Sequence, residues 1–403
     1  MRGPAGPCAH LLFFSSLIVP DRAAAATLAA ATAAQACRLP RVLHFVTGGF
    51  SGATQVAVDL VRAHAASGRC DALLVLRRKR HTRNERVQAL LDQGLAVETV
   101  AGWAHAATIW QLVALCRRYQ PDVLVAHGFS EHLWGRYAGL IAGVPRLVHV
   151  EHNSRERYTA WRLRQALWLA QRTDLIVGVS EGVRQSLLAR GFPAAKTVAI
   201  PNGIDLAPYD PARHPAWADR VPGIVMAARF ARQKDHATLL RAVALLRQRG
   251  LTPPVQLAGG GKAGAQRAAR QLCTALELDG QVQFLGHCGD VPGLLMGHRI
   301  CVLATHFEGM PLSLIEGMAA GCAVVGSRVV GVQEVIDDGR NGLLAAHADA
   351  QSLADALARL LTCDAEAQRM AQAARADAQR LYSLPTMTAR YEDLLLQGLE
   401  AAR

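Results

Sequence analysis

Two carboxylates eight residues apart and two cations five residues apart are the side chains of this sequence best placed to do chemistry. Glu308 and Glu316 stand in the segment Phe307-Glu308-Gly309-Met310-Pro311-Leu312-Ser313-Leu314-Ile315-Glu316. Proline suits the first position of a helix, where its missing N–H would be unbonded in any case. With Pro311 there, the amides of Met310, Leu312 and Ser313 face outward at the positive end of the helix, a setting for an anion such as a diphosphate. Glu308 precedes this helix and Glu316 falls in its second turn, so both can reach one ligand from opposite sides. A carboxylate accepts hydrogen bonds from both hydroxyls of a vicinal diol, which suits a sugar. The same spacing also fits two solvated glutamates at a helix start, where acids are favoured. Arg229 and Lys234, in AARFARQKDH, follow an apolar run and are placed to neutralise a diphosphate. A further candidate is Gly259-Gly260-Gly261-Lys262-Ala263-Gly264, a G-x-G-x-x-G between a strand-like and a helix-like stretch. In a dinucleotide site the acidic partner ends the next strand, whereas Glu277 and Asp279 precede VQFLG (282–286). Lys262 is followed by alanine, which also breaks the Walker pattern. The segment is expected to be a glycine-rich turn that either approaches a phosphate or simply turns tightly.

These residues need strands that end beside one another. RVLHFV (41–46), DALLVL (71–76), DVLVA (122–126), RLVHV (146–150) and DLIVGVS (174–180) alternate with helix-length stretches, and GIVMAA (223–228), VQLA (255–258), VQFLG (282–286), ICVLA (300–304) and AVVGS (323–327) restart the pattern. Continuous β-branched runs separated by helices indicate parallel sheets covered on both faces. The expected fold is α/β, with two doubly wound, Rossmann-like domains facing a cleft and ligands at the carboxyl ends of the strands. The expected boundaries are an N-terminal extension over 1–40, a first Rossmann-like domain over 41–205, a proline-rich hinge over 206–222, a second Rossmann-like domain over 223–381 and a closing helix over 382–403. The periodicity of Tyr391, Leu394, Leu395 and Leu399 carries that helix.

Composition limits the alternatives. At 403 residues, 51% hydrophobic and 19% charged, the chain is too long for one small module and too apolar for a disordered one. The formal charge of +12 is uneven, with 24 Lys and Arg against 13 Asp and Glu in residues 1–205, and 20 against 19 beyond. A basic half implies a surface that meets phosphate, anionic lipid or nucleic acid. The basic run RRKRHTRNER (77–86) has no interleaved aromatics for base stacking, which disfavours nucleic acid. Nine cysteines without a C-x-x-C pair indicate neither zinc nor a disulfide framework, and point to a reducing cytoplasm. The apolar stretch LLFFSSLIVP (11–20) has only Arg2 and His10 as a basic flank, so residues 1–40 are expected to be a disordered or targeting segment.

The stretch EGMPLSLIEGMAAGCAVVGSRVVGVQEVIDDGRNGLL (308–344), with ARFARQKDH, VQFLGHCGDVPGLL and VSEGVRQSLLARGFPAAKTVAIPNGID, resembles the retaining glycosyltransferases of family 4, which have the GT-B fold. The resemblance covers residues 41 to 395 and implies that the domain over 41–205 is the acceptor side and the domain over 223–381 binds the nucleotide-sugar donor. It implies that Glu316 holds the ribose of a nucleotide-sugar, Glu308 the hydroxyls of the donor sugar, and Arg229 with Lys234 the diphosphate, beside the backbone of Gly309, Met310, Leu312 and Ser313. It also implies a glycine-rich loop at Gly48-Gly49-Phe50-Ser51-Gly52, donor contact at Gly49 and Gly259, and a cleft histidine at His152, with His127 a second candidate. Asp235 replaces a common family glycine, and Val330-Gly331 replaces a common Gly-Gly, which alters the loop 327–333. No Asp-x-Asp and no metal-type ligand spacing occurs, so no metal and no cofactor is expected beyond a UDP- or GDP-linked sugar as substrate. The family implies a front-face transfer in which the leaving phosphate helps deprotonate the acceptor. The alternatives are a nucleotide-sugar epimerase of the same fold, a nucleic-acid-binding protein and a dinucleotide-dependent oxidoreductase.

The expected partners are therefore the nucleotide-sugar, a glycan or lipid-linked acceptor of envelope polysaccharide or lipopolysaccharide synthesis, and an anionic membrane surface. One basic cluster, Arg77, Arg78, Lys79, Arg80, Arg83 and Arg86, and another, Arg155, Arg157, Arg162 and Arg164 among Trp161, Leu163, Leu167, Trp168 and Leu169, suggest a peripheral protein on the cytoplasmic membrane face. The second set equally fits apolar residues packed on the sheet beneath solvated arginines.

Overall fold

The structure, a computed structural model, describes residues 38–397 except 81, 129, 156, 157 and 214, together with 399. The extension expected over 1–40 and Arg157 of the second basic cluster thus fall wholly or largely outside the described residues. Residues Pro40–Leu396 form one compact unit.

The N-terminal half runs β1 (Arg41–Thr47), α1 (Gly52–Ser67), β2 (Asp71–Arg77), α2 (Asn84–Asp92), β3 (Val97–Val100), α3 (His105–Tyr119), β4 (Val123–His127), α4 (Glu131–Ala142), β5 (Arg146–Glu151), α5 (Ala160–Ala170), β6 (Leu175–Gly178), α6 (Glu181–Leu188) and β7 (Thr197–Ala199). The C-terminal half runs β8 (Val221–Ala227), α7 (His236–Gln248), β9 (Val255–Ala258), α8 (Ala263–Ala275), β10 (Val282–Gly286), α9 (Val291–Met296), β11 (His298–Leu303), α10 (Leu312–Ala319), β12 (Ala323–Ser327), α11 (Val332–Val335), β13 (Leu343–Ala345), α12 (Ala350–Thr362), α13 (Asp364–Leu381) and α14 (Leu384–Leu396). The strand orders are β3-β2-β1-β4-β5-β6-β7 and β10-β9-β8-β11-β12-β13, with every pairing parallel.

Each order reverses once, between β1 and β4 and between β8 and β11. At such a switch point the two flanking connections leave to opposite faces of the sheet and open a crevice at the strand ends. Thr47 and His127 end the first pair, and Arg229 and Glu308 follow the second. Both central strands of the first sheet are apolar and buried on both faces, as a helix-covered parallel sheet requires. Three edge or near-edge strands, β3, β7 and β13, go beyond the sequence reading. They are three or four residues long, too short for a period-2 signal, and exist because a paired neighbour completes their backbone hydrogen bonds.

Two expected boundaries shift. β8 starts at Val221, pairing with His298, so the last two residues of the proline-rich segment belong to the second sheet. The rest of that segment forms short 3-10 turns, and Arg220 donates to the carbonyls of Ala320 (3.1 Å) and Gly321 (2.7 Å). The C-terminal helix α14 ends at Leu396, before the expected Leu399, and returns to the N-terminal half. There Leu384 N donates to Ile204 O (2.9 Å), and Arg69 pairs with both Glu392 and Asp393. Among the described residues no helix is long and apolar enough to cross a membrane.

Candidate active site in the cleft

The segment after β8 and the segment after β11 are tied backbone to backbone. Asp235 N donates to Ala304 O and His306 N to Gln233 O, each at 2.9 Å. This brings Lys234 Nζ to 2.5 Å from Glu308 Oε1, with both side chains largely buried. Thr305 Oγ1 donates to the same carboxylate oxygen at 2.8 Å, and Gln233 Nε2 to Oε2 at 3.2 Å. The sequence reading missed Thr305 and Gln233, although both adjoin the motif residues. Arg229, five residues before Lys234, is exposed and has no ion pair or hydrogen bond among the described residues.

Arg229 stands where two cavities adjoin. One, of about 450 Å³, is lined by His152, Lys234, Glu308, Gly309, Met310, Leu312 and Ser313. The other, of about 500 Å³, is lined by Gly49, Phe50, Gly259–Gly261, His287 and Glu316. The two glutamates therefore line separate chambers that share Ala227, Ala228 and Arg229 as a wall. Burial pushes the Glu316 carboxyl up to about 7, against a smaller opposing pull from Lys234.

The helix start differs from expectation. Pro311 is the residue before α10, with φ −85° and ψ 80°, and Leu312 N donates to Met310 O at 3.1 Å. This is an inverse γ-turn. It consumes the Leu312 amide and removes it from the expected set of outward donors. Ser313 supplies something else, a buried hydroxyl with no partner on the wall of the smaller cavity. Gly309 has a steric role besides lining the cavity, since a Cβ there would lie 2.1 Å from His152 O. Ser154 Oγ donates to Glu308 O at 2.7 Å in the same crossing.

In the glycine-rich turn, Gly259 has φ 150° and Gly261 φ 155°, and a Cβ on either would meet the backbone of Ala228 (2.1 Å) or Phe230 (2.4 Å). The two glycines thus serve close packing on the end of β8, and Gly260 faces open space between them. A dinucleotide fingerprint is not needed to explain them.

His152 lines the smaller cavity, and burial, with His149 nearby, lowers its pKa to about 3. Its Nε2 lies 3.2 Å from His127 Nδ1. Among the described residues one group, His132, His149 and Glu151, gathers metal-type donor atoms within 4.8 Å, a cluster the linear spacing conceals. The buried guanidinium of Arg136 donates to His132 Nδ1 at 2.6 Å. The His132 proton is then on Nε2, facing Tyr158 Oη at 3.1 Å, while Tyr158 donates to Glu151 Oε2 at 3.1 Å. A protonated nitrogen beside a permanent cation does not suit a metal ion, and His132, Tyr158 and Glu151 form a hydrogen-bonded network, while both nitrogens of the buried His149 lack a hydrogen-bond partner among the described residues.

The first basic cluster is exposed at Arg78, Lys79, Arg80, Arg83 and Arg86. Arg77 is buried, and it and Lys79 reach Glu131 Oε1 at 3.3 and 2.6 Å. Arg83 and Arg86 line the larger cavity, with Arg86 over the Phe50 ring at 5.4 Å. Side chains read as membrane-facing are thus partly committed to the cleft. Glu131, also missed from sequence, lines the smaller cavity. In the second cluster, Leu169 is buried, while Trp161 and Trp168 are 68% and 46% exposed.

A model of the group 1 glycosyl transferases matches residues 221–363, and a model of glycosyltransferase family 4 matches residues 50–208. A lipopolysaccharide core biosynthesis glycosyltransferase, LpsE of Rhizobium meliloti, is 25% identical over 88% of this chain and 98% of its own length. A glycogen synthase of Mycobacterium tuberculosis is 27% identical over 66% of this chain, and the match spans 66% of that protein's length. HepE of Anabaena, solved in complex with UDP and glucose, superposes with a TM-score of 0.76 over 88% of this chain and 99% of its own, at 22% identity. That likeness shows the fold, two parallel-sheet domains of GT-B type.

A raised carboxyl pKa makes a pH prediction. Between its unfolded value and about 7, the folded protein binds more protons at Glu316 than the unfolded chain does, so this residue lowers stability progressively as pH rises through that window. In thermal unfolding without ligand, Glu316→Gln should exceed the parent in stability at pH 8 by about 1–3 kcal/mol and lose that advantage near pH 4.5. A parallel pH dependence in parent and variant would contradict the burial of an ionising Glu316.

Proposed function

Since the chain belongs to the group 1 glycosyltransferases of family 4, we propose that it transfers a sugar from a nucleoside diphosphate to an acceptor hydroxyl with retention of anomeric configuration, in the building of envelope polysaccharide or lipopolysaccharide. The observation that carries this reading is Arg229, without an ion pair among the described residues, on the shared wall of two cavities, one with Glu316 and one with the Lys234–Glu308 pair. The larger cavity suits the nucleoside, with Glu316 at the ribose. The smaller suits the sugar, with Glu308 at its hydroxyls and His152 at its edge. The diphosphate then lies between them, against Arg229 and Lys234.

Departure of the diphosphate breaks the bond from the anomeric carbon to oxygen and builds negative charge on the leaving oxygen. Arg229 and Lys234 are set to stabilise that charge without a metal ion, because fixed cations in a partly dry site reorganise little during reaction. The acceptor oxygen attacks from the same face, and its proton passes to the departing phosphate. UDP and glucose in HepE and the lipopolysaccharide role of LpsE support a nucleotide-sugar donor and an envelope acceptor.

A lipid-linked acceptor would bring the protein to the cytoplasmic membrane face. Trp161, Arg164 and Trp168 recur at helical spacing on the exposed side of α5, while Ala166, Leu169 and Ala170 are buried on the other. Stacked rings, Trp134 on Tyr137 and Tyr137 on Trp168, join this face to α4, and Trp110 on α3 is 73% exposed. Exposed tryptophans beside arginines are the side chains an anionic interface favours.

Lys234→Ala should lower kcat by about 10²–10³ with a smaller change in donor KM, because leaving-group charge peaks in the transition state. Glu316→Ala should mainly raise donor KM, by about tenfold for the lost diol contact, and EDTA should leave the parent active. Unchanged kinetics in both variants, or full loss with EDTA restored by magnesium, would overturn the assignment.

Co-sedimentation with anionic liposomes should occur at low salt and fail at about 0.5 M salt. The Trp161→Ala/Trp168→Ala protein should bind less. A parent protein that stays in the supernatant at low salt would remove the membrane claim and leave the transferase claim standing.

A further inference from the structure

Thr82 ties the basic run after β2 to the glycine-rich turn after β1. Its hydroxyl donates to Gly48 O at 3.0 Å and accepts from Lys79 N at 2.7 Å, and Gly48 N donates to Arg77 O at 2.8 Å. A Cβ on Gly48 would lie 2.8 Å from Arg77 O and 2.9 Å from Thr82 Oγ1, so a glycine lets the two segments touch. Arg83, the next residue, precedes the first residue of α2, and Arg86 stands three residues further on. That spacing puts both on one side of the helix start. Both are exposed, and both line the larger cavity.

Phe50, in the same turn, steadies Arg86. Its φ of 47° is costly for a bulky side chain, and its ring packs against the core cluster that includes Val58 and Leu90. The Arg86 guanidinium lies 5.4 Å from the ring centroid. An aromatic face attracts a cation without neutralising it, so Arg86 is held in place and keeps its charge.

Charge indicates what this wall binds. Among the described residues neither Arg83 nor Arg86 has an ion pair or a side-chain hydrogen bond, and the same holds for Arg229 from the second sheet. These three guanidiniums line the larger cavity with one carboxylate, Glu316, whose pKa burial raises to about 7. At neutral pH the cavity therefore carries at least two uncompensated positive charges, which repel one another. A dianion removes that repulsion. Phosphate oxygens also match the planar fork of arginine and take charge-assisted hydrogen bonds, roughly twice as strong as the neutral ones a base edge offers.

We propose that Arg83 and Arg86 bind the diphosphate of the nucleotide-sugar from the first domain, completing with Arg229 a site built from both sheets. The inference rests on the reading of the larger cavity as the nucleoside chamber and adds two donor-binding residues to it. Thr82 and Phe50 are positioning residues. A diphosphate held this way touches groups that follow β2 and groups that follow β8, so donor binding links the two sheets.

Isothermal titration calorimetry of UDP and GDP, with ¹H NMR titration of uridine and guanosine, tests this on the parent, Arg83→Gln/Arg86→Gln and Arg80→Gln/Arg117→Gln. Both double changes remove two exposed positive charges from the first half, but Arg80 and Arg117 do not line the cavity. Arg83→Gln/Arg86→Gln should weaken the nucleotide that binds the parent by about tenfold or more, and its nucleoside by less than about twofold. Arg80→Gln/Arg117→Gln should leave both affinities at the parent value. Parent-like nucleotide affinity in Arg83→Gln/Arg86→Gln, an equal loss in the control, or an equal loss for the nucleoside would overturn the proposal. Unchanged nucleotide affinity with lost liposome binding would give the two arginines to a lipid headgroup instead. If neither nucleotide binds the parent, the donor reading falls and this inference with it. Binding that depends on Arg229 but not on Arg83 and Arg86 sinks this inference alone.

Discussion

A buried ion pair between Lys234 and Glu308 organises the cleft. Taking two charges out of water costs several kcal/mol per ion, and their attraction offsets this only when the remaining hydrogen-bonding capacity is also satisfied. Here Thr305 and Gln233 complete the carboxylate, and the backbone bonds between 233–235 and 304–306 hold both partners in place. The pair neutralises itself and leaves Arg229, at the junction of two cavities, as a cation without a counter-charge among the described residues. On the proposed reading, an arriving dianion meets Arg229 together with the donors of Lys234 that Glu308 does not occupy.

That arrangement depends on topology rather than on local sequence. Arg229 and Lys234 follow β8, and Glu308 and Glu316 follow β11, about 80 residues later. They meet because β8 and β11 are neighbours at the point where the strand order reverses. The first sheet repeats the device with β1 and β4, which bring the turn at Gly48–Gly52 and the His127 end of β4 to the facing rim. Interior polar groups follow the same logic. His44, His127, His132 and Arg136 are fully buried in the first half, a costly choice that is tolerable because each has a hydrogen-bond partner.

The other ten strands were legible because each lies in a continuous apolar run between turn residues, and the paired motif Glu308–Glu316 with Arg229–Lys234 was legible because its spacing is short. What stayed hidden depends on distance in sequence. β3, β7 and β13 are defined by their neighbours rather than by their own pattern. His132 and Glu151 meet only through the fold, and nothing in their local context distinguishes them from satisfied core residues. The run 77–86 was legible as a mostly exposed basic stretch, but not its partners, since Arg77 and Lys79 reach Glu131 while Arg83 and Arg86 line the larger cavity. Pro311 shows the limit of a local rule, since a γ-turn places it just before the helix and uses an amide that a helix start would have left free.

The central claim is that protein cations alone hold a nucleoside diphosphate across the two cavities. Isothermal titration calorimetry of UDP and GDP in EDTA, with the parent and with Arg229→Gln, addresses it most directly. The account predicts one site per chain for at least one of the two nucleotides, weakened about tenfold or more by the substitution, or about 1.4 kcal/mol. Absence of binding by either nucleotide until a divalent ion is added, or equal affinity in parent and variant, would contradict it.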